Sequence, residues 1–415
     1  MSKNRLFKNI LILFAGAGSA KIIVFAATPV LTRIYSPGQF GVLSLFVAVS
    51  MLVIPVATMR FPNALPLPKN ENVAVNMAAL SIIILFSVVF FLGILFFLCG
   101  KIILDALSLS SLNDFIWLLL ITVIAAGMYE ILTGFCNRSR RFKVYAQTQI
   151  WQAILSSLIK IGLGVLGFLN AGLLIGHFFS QAGGVFTLYR AFRSDIKKNI
   201  KRVSFVRIKY VFRRYIDFPL YRLPSQFLLV FSVQAPVLFS GIIFNESVTG
   251  QLGLALSTLS IPMSLLGTTT GQAFYGEIAK LGKGQPVMIR KIAKDVAIKM
   301  FLISIPPFVA LFFFGPLLFS WVFGDSWNQA GVFASILSIY LLAQFISAPL
   351  VNVFNVFEKQ ALFLRINIVR VLLILFVFGV SYVYSLSSEQ MIFLYSYILT
   401  AHYLYVSYLC FKVIK

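Results

Sequence analysis

The chain has 415 residues, 60% hydrophobic and only 11% charged, where an ordinary soluble protein has about 25% charged. Lys and Arg number 35 against 12 Asp and Glu, a formal net charge of +23 that on a soluble domain would suggest nucleic acid. A soluble domain could not bury 43 Phe with the accompanying Leu, Ile and Val without exposing large apolar patches. A soluble enzyme, a disordered chain and a disulfide scaffold are therefore excluded, and an integral membrane protein remains.

A membrane-crossing helix needs about 20 mostly apolar residues. In chain order the apolar runs predict twelve such helices, at 9–33, 41–60, 76–98, 115–136, 150–168, 171–190, 219–243, 250–273, 297–320, 330–354, 361–384 and 390–411. Lys3, Arg5 and Lys8 ahead of the first run resemble a signal peptide, but the run continues to Ile34 and reads as an uncleaved first span. Turn chemistry separates the runs, as at Ser36-Pro37-Gly38 and Gly282-Lys283-Gly284. Period-two alternation is absent, which disfavours a β-barrel. The expected fold class is all-α, with a six-helix lobe over 1–190, a basic cytoplasmic linker over 191–218 and a second six-helix lobe over 219–415.

Orientation follows from the basic residues of the loops. With the predicted spans, 28 of the 35 fall on the side of the N-terminus and only Arg33 and Lys101 on the other. Both termini are thus expected in the cytoplasm. Ten of the 28 lie between Arg190 and Arg214, in the longest connection. That segment is partly amphipathic and is expected to lie on the anionic leaflet.

An internal repeat supports the division into halves. Pro29-Val30-Leu31 recurs as Pro236-Val237-Leu238, and Pro55 recurs as Pro262, both at an offset of 207 residues. Each half has an even number of helices, so the copies insert with the same orientation, related by an axis along the membrane normal.

Catalytic constellations are not found: there is no nucleophile elbow, no Walker A loop and no zinc-ligand spacing. Cys99, Cys136 and Cys410 are far apart, and His177 and His402 are the only histidines. Neither a metal site nor a cofactor is expected, and the protein is read as a transporter rather than an enzyme. The informative groups are ionisable residues inside the spans, which are costly in lipid and face protein or a water cavity. These are Lys21, Glu130, Lys160, Arg222 and Arg370, with Arg60 at the end of the second span. Lys160 shares a helix face with Ser156, Ser157, Gly164 and Gly167. Arg370 follows it by 210 residues, so matched helices of the two halves carry matched cations. Lys21, Arg60, Lys160, Arg222 and Arg370 are the candidate substrate-binding residues, because cations attract a phosphate or pyrophosphate headgroup. Glu130 and His177 are candidates for ion coupling or structural pairing; Glu130 and Lys160 lie at similar depth and are candidates to pair with each other.

The run Thr28-Pro29-Val30-Leu31-Thr32-Arg33-Ile34-Tyr35-Ser36-Pro37-Gly38-Gln39-Phe40-Gly41 resembles the first signature of bacterial polysaccharide-unit (Wzx-type, O-antigen) flippases. Phe218-Pro219-Leu220-Tyr221-Arg222-Leu223-Pro224, with Gly253 to Pro262 and Gln272-Ala273-Phe274, is similar to the start of their second half. The resemblance implies the multidrug/oligosaccharidyl-lipid/polysaccharide exporter (MOP, MATE-like) fold, two six-helix lobes forming a V. It implies movement of undecaprenyl-pyrophosphate-linked oligosaccharide to the periplasmic leaflet for O-antigen or capsule assembly. The implied partners are the lipid-linked substrate, membrane lipids and other polysaccharide assembly proteins, with coupling to a proton or sodium gradient left open. The competing readings are a cation-coupled multidrug exporter of the same superfamily and a membrane glycan polymerase or ligase.

Overall fold

The computed structural model describes residues 3–106 and 108–414, and among them no strand occurs. Lys415, counted above among the cytoplasmic cations, lies outside the described residues, as do Met1 and Ser2 of the basic N-terminal segment. The helices are α1 Lys3–Ile34, α2 Pro37–Thr58, α3 Glu71–Ala106, α4 Ile116–Ser139, α5 Phe142–Val165, α6 Leu169–Ala182, α7 Val185–Asn199, α8 Phe205–Arg214 and α9 Leu223–Ile243. They continue as α10 Glu246–Pro262, α11 Thr268–Leu281, α12 Pro286–Phe323, α13 Asn328–Leu350, α14 Val353–Val356, α15 Gln360–Val383 and α16 Ser388–Val413. All twelve predicted segments are helical. Among the described residues, ten helical stretches are long and apolar enough to cross a membrane. The predicted fifth and twelfth spans, α5 and α16, are not among them, because Gln149, Gln152, Ser156, Ser157 and Lys160 dilute the first and a series of Tyr the second.

Helix ends follow the local chemistry. Ser36 and Gln39 form a reciprocal capping box with Pro37 in the first turn, so α2 starts where the sequence places a turn. Ser387 and Gln390 repeat the device at α16. Asn245 caps α10 by accepting from the Val248 amide at 2.9 Å.

The chain divides into two compact units, Met1–Gln234 and Ala235–Lys415, with the division falling inside α9. In the first, α1 runs along α5, α5 along α6, and α2 packs on α4 and α6. Gly16 permits the α1–α5 approach, since a Cβ there would sit 2.5 Å from that of Ala146. In the second, α12 runs along α13 and α13 along α16, with Gly331 directly against the Gly315 backbone. Phe97 at 77% exposure and Trp321 at 79% are two of many large apolar side chains left on the surface, as expected for helices in lipid rather than water.

The segment expected as a linker is itself folded onto the first unit. The sixth predicted span continues through α7 to Asn199, and α8 packs on α3 through the fully buried Val211. The Asn76 amide holds the junction, donating to the Arg202 carbonyl at 3.1 Å and accepting from the Ser204 amide at 3.0 Å. Some cations that bias the loops also tie them. Arg138 donates to the Pro68 and Lys69 carbonyls, and Arg141 reaches Asp195 at 3.1 Å and stacks over Phe192.

Candidate functional site

Glu130, on α4, is half-buried and faces the end of α2, where Arg60 Nη1 lies 2.5 Å from its Oε1. Thr58 Oγ1 lies 3.1 Å from the other carboxylate oxygen. Met59 and Arg60 adopt left-handed backbone conformations, φ 44° and 58°, which end α2 and turn the Arg60 side chain back toward α4. Such conformations are uncommon for residues with a Cβ, and the buried Phe61, Pro62, Ala64 and Leu65 that follow anchor the turn. Glu130 therefore pairs with Arg60 and not with Lys160. Depth on neighbouring helices suggested the latter, but the backbone turn after Thr58 brings the former within reach.

Lys160 lies between α5 and α6. Its stem crosses over Gly176, where any Cβ would fall 2.2 Å from Lys160 Cγ. Among the described residues it forms no ion pair. His177, the next residue on α6, is buried and close enough to feel the Lys160 charge. Its ring meets Phe46 edge-on at 5.9 Å, Ser180 Oγ lies 3.4 Å from Nδ1, and among the described residues Nε2 has no hydrogen-bond partner. Tyr35 closes the far end of this packing. Its hydroxyl donates to the Lys160 carbonyl at 2.6 Å, and the phenol lies where Cβ atoms on Gly164 and Gly172 would be. The Tyr35-Ser36 pair of the first signature thus locks the α1–α2 corner onto α5 and α6.

In the second unit Arg370, on α15, meets neutral oxygen. Its Nη1 is 3.4 Å from the Tyr403 hydroxyl, which also accepts from Gln344 Nε2 at 3.0 Å. Tyr340 stacks on Tyr403 at 6.4 Å and meets Tyr395 edge-on at 5.6 Å, and His402 lies beside the same arginine. Tyr340, Tyr395, Tyr403 and His402 were not among the candidates the sequence offered. The one signal was the repetition of Tyr and His on α16, with Tyr340 apart on α13, which is indistinguishable from ordinary interfacial aromatics.

The remaining candidates stand apart. Lys21 is half-buried on α1, one turn beyond the buried Gly16 and Gly18. Arg222 is exposed at the end of a π-helical turn, Phe218–Arg222, that opens the seventh predicted span at Pro219. Neither forms an ion pair among the described residues. The structure thus brings together Arg60 with Glu130 and Lys160 with His177. Among the described residues no three His, Cys, Asp or Glu side chains are grouped as a metal would need.

This architecture is shared with solved membrane exporters. The chain is similar to the lipid II flippase MurJ in an inward closed conformation, with TM-score 0.63 and 14% identity over 97% of this chain and 86% of that one. It is similar to an inward-facing multidrug resistance MATE family transporter of the MOP superfamily, with TM-score 0.60 and 12% identity over 97% and 94%. A eukaryotic MATE transporter gives TM-score 0.60 and 18% identity over 98% of each chain. The fold is that of the MOP-superfamily exporters. Comparison with curated protein sequences finds no match. The family described as polysaccharide biosynthesis protein (Polysacc_synt_3) matches residues 30–332, and the chain belongs to that family.

Proposed function

We propose that the protein is a flippase that carries a lipid-linked oligosaccharide, built on undecaprenyl pyrophosphate, from the cytoplasmic to the periplasmic leaflet of a bacterial inner membrane. The carrying observation is the pairing of an exporter's fold with membership of a polysaccharide biosynthesis family. The family supplies the glycan and the fold supplies the transport. Twelve spans with both termini in the cytoplasm agree with the basic residues of the loops. Lys21 and Arg222, which carry no acidic partner among the described residues, meet the pyrophosphate. A weak, exchangeable contact suits a group that must be released on the far side. Arg60 is engaged by Glu130 and becomes available only when that pair opens, which is where a proton gradient would act.

Two experiments test this. Deletion of the gene followed by lipid extraction should leave lipid-linked oligosaccharide accumulated on the cytoplasmic leaflet; an unchanged lipid pool and unchanged surface glycan overturn the reading. Lys21→Ala and Arg222→Ala should each lower surface glycan at normal protein level; normal glycan in both variants removes the cation assignment.

A further inference from the structure

A second surface lies on the basic side of the first unit and owes nothing to the transport reading. In α8 Ile208 and Val211, with Tyr215 directly after the helix, pack into the cluster formed by Ala57, Phe61, Leu65 and Met77. Phe212 adds a ring contact to Phe61 at 5.9 Å. The other side of the helix keeps its apolar residues uncovered. Phe205 is 79% exposed and Val206 78%, with Ile200 and Tyr210 also exposed. Lys201, Arg207, Lys209, Arg213 and Arg214 are exposed around them, and no acidic residue occurs between Asp195 and Asp217.

The depth of this helix is set by its contacts. Asn76, which binds the Arg202 carbonyl and the Ser204 amide, is the residue at which the apolar run of α3 begins. Met77, one residue further, packs in the cluster with Val211. The start of α8 therefore sits level with the boundary between hydrocarbon and headgroups, not out in the aqueous phase. A helix at that level, with aromatic and aliphatic side chains among cations, has the composition of an interfacial membrane anchor.

We propose that α8 and the turn before it form a docking surface for anionic phospholipid, with Phe205 and Val206 entering the headgroup layer and Lys201, Arg207, Lys209, Arg213 and Arg214 meeting lipid phosphates. The leaflet is the occupant because the surface lies at its depth and carries the opposite charge. Val211 and Asn76 fasten the anchor to α3, so lipid composition acts on the end of a membrane-spanning helix.

The test uses the full chain with Cys99→Ser, which removes the exposed native thiol while Cys136 and Cys410 stay buried. Phe205→Cys is labelled with bimane and the protein is placed in nanodiscs of phosphatidylcholine alone or of phosphatidylcholine with phosphatidylglycerol. In the anionic discs the label should be quenched by doxyl lipid and protected from iodide about severalfold more than in neutral discs. The triple change Lys209→Gln, Arg213→Gln and Arg214→Gln should abolish that difference while thermal unfolding stays cooperative. Equal iodide quenching in both discs overturns the proposal. So does protection that appears in native membranes and not in anionic discs, which would assign the surface to a protein partner. Phosphatidylglycerol retained through purification by the parent and lost by the triple variant supports it independently of the label.

Discussion

Lys160 in the first unit and Arg370 in the second lie on the fifth predicted helix of each half, and the chain's only two histidines lie beside them on the sixth. The surroundings differ. Lys160 is accommodated by an absence of side chain, its stem lying across Gly176. Arg370 is met by the phenol of Tyr403, whose hydroxyl also accepts from Gln344. A flexible lysine stem can follow a groove and carry its charge to wherever water or a partner is found, whereas a planar guanidinium needs acceptors set around it. The half-buried acid is a further difference. Glu130 serves Arg60 in the first unit, while in the second unit the recorded carboxylate pairs, at Glu277, Asp295 and Glu358, are exposed. The repeat thus keeps the place of a cation and changes the means of solvating it.

The contrast can be broken most severely at the first unit's ion pair. Glu130→Gln leaves a half-buried Arg60 charge uncompensated, and the expected loss is about 3–5 kcal/mol in thermal or denaturant unfolding in detergent. Arg60→Gln in the same chain should recover much of it, since the burial cost disappears with the charge. Next in size is Gly176→Ala, whose new methyl occupies the path of the Lys160 stem and should cost about 1–3 kcal/mol. Lys160→Ala should relieve that cost, and a double-mutant cycle with no coupling between 176 and 160 would contradict the packing described. In the second unit Tyr403→Phe removes an oxygen that accepts from both Arg370 and Gln344, for about 1–3 kcal/mol. An unchanged unfolding midpoint would show that the phenol ring matters and its hydroxyl does not.

The smallest effect lies at the surface. Lys283, 2.7 Å from Glu358, holds that carboxyl below the ordinary carboxylate range. A carboxyl whose value is lowered in the folded chain contributes stability above its unfolded value and loses it as pH falls through the folded one. The difference in unfolding temperature between the parent and Lys283→Ala should therefore be present at neutral pH and vanish in acid. A difference that persists below the carboxylate range would mean that Lys283 acts through packing.

Much of the architecture was legible because helices in lipid must satisfy their own backbone and shield it with apolar side chains. Every predicted segment is a helix for that reason, and the capping residues mark starts such as Ser36 and Asn245. The polar content of α5 was readable too, as a stripe containing Lys160. The partners of the ionisable groups were not. Glu130 and Lys160 looked like a pair by depth alone, and only the left-handed turn at Met59 and Arg60 shows why Arg60 takes that place. The basic connection read as a linker because its charge and length are visible, while its attachment depends on Val211 fitting a hollow made by three other segments.

Composition and hydropathy were sufficient by themselves to determine a helical membrane protein, and the cations of the loops and the 207-residue repeat supplied the expectation of a basic side and two halves. These are sums over local properties, and each residue contributes to them without reference to distant ones. The tertiary structure decided which charges are neutralised, which are merely accommodated, and which surface remains uncovered. Those outcomes depend on distances between helices far apart in the chain, where a turn of backbone or a missing Cβ moves a charged group from one neighbour to another.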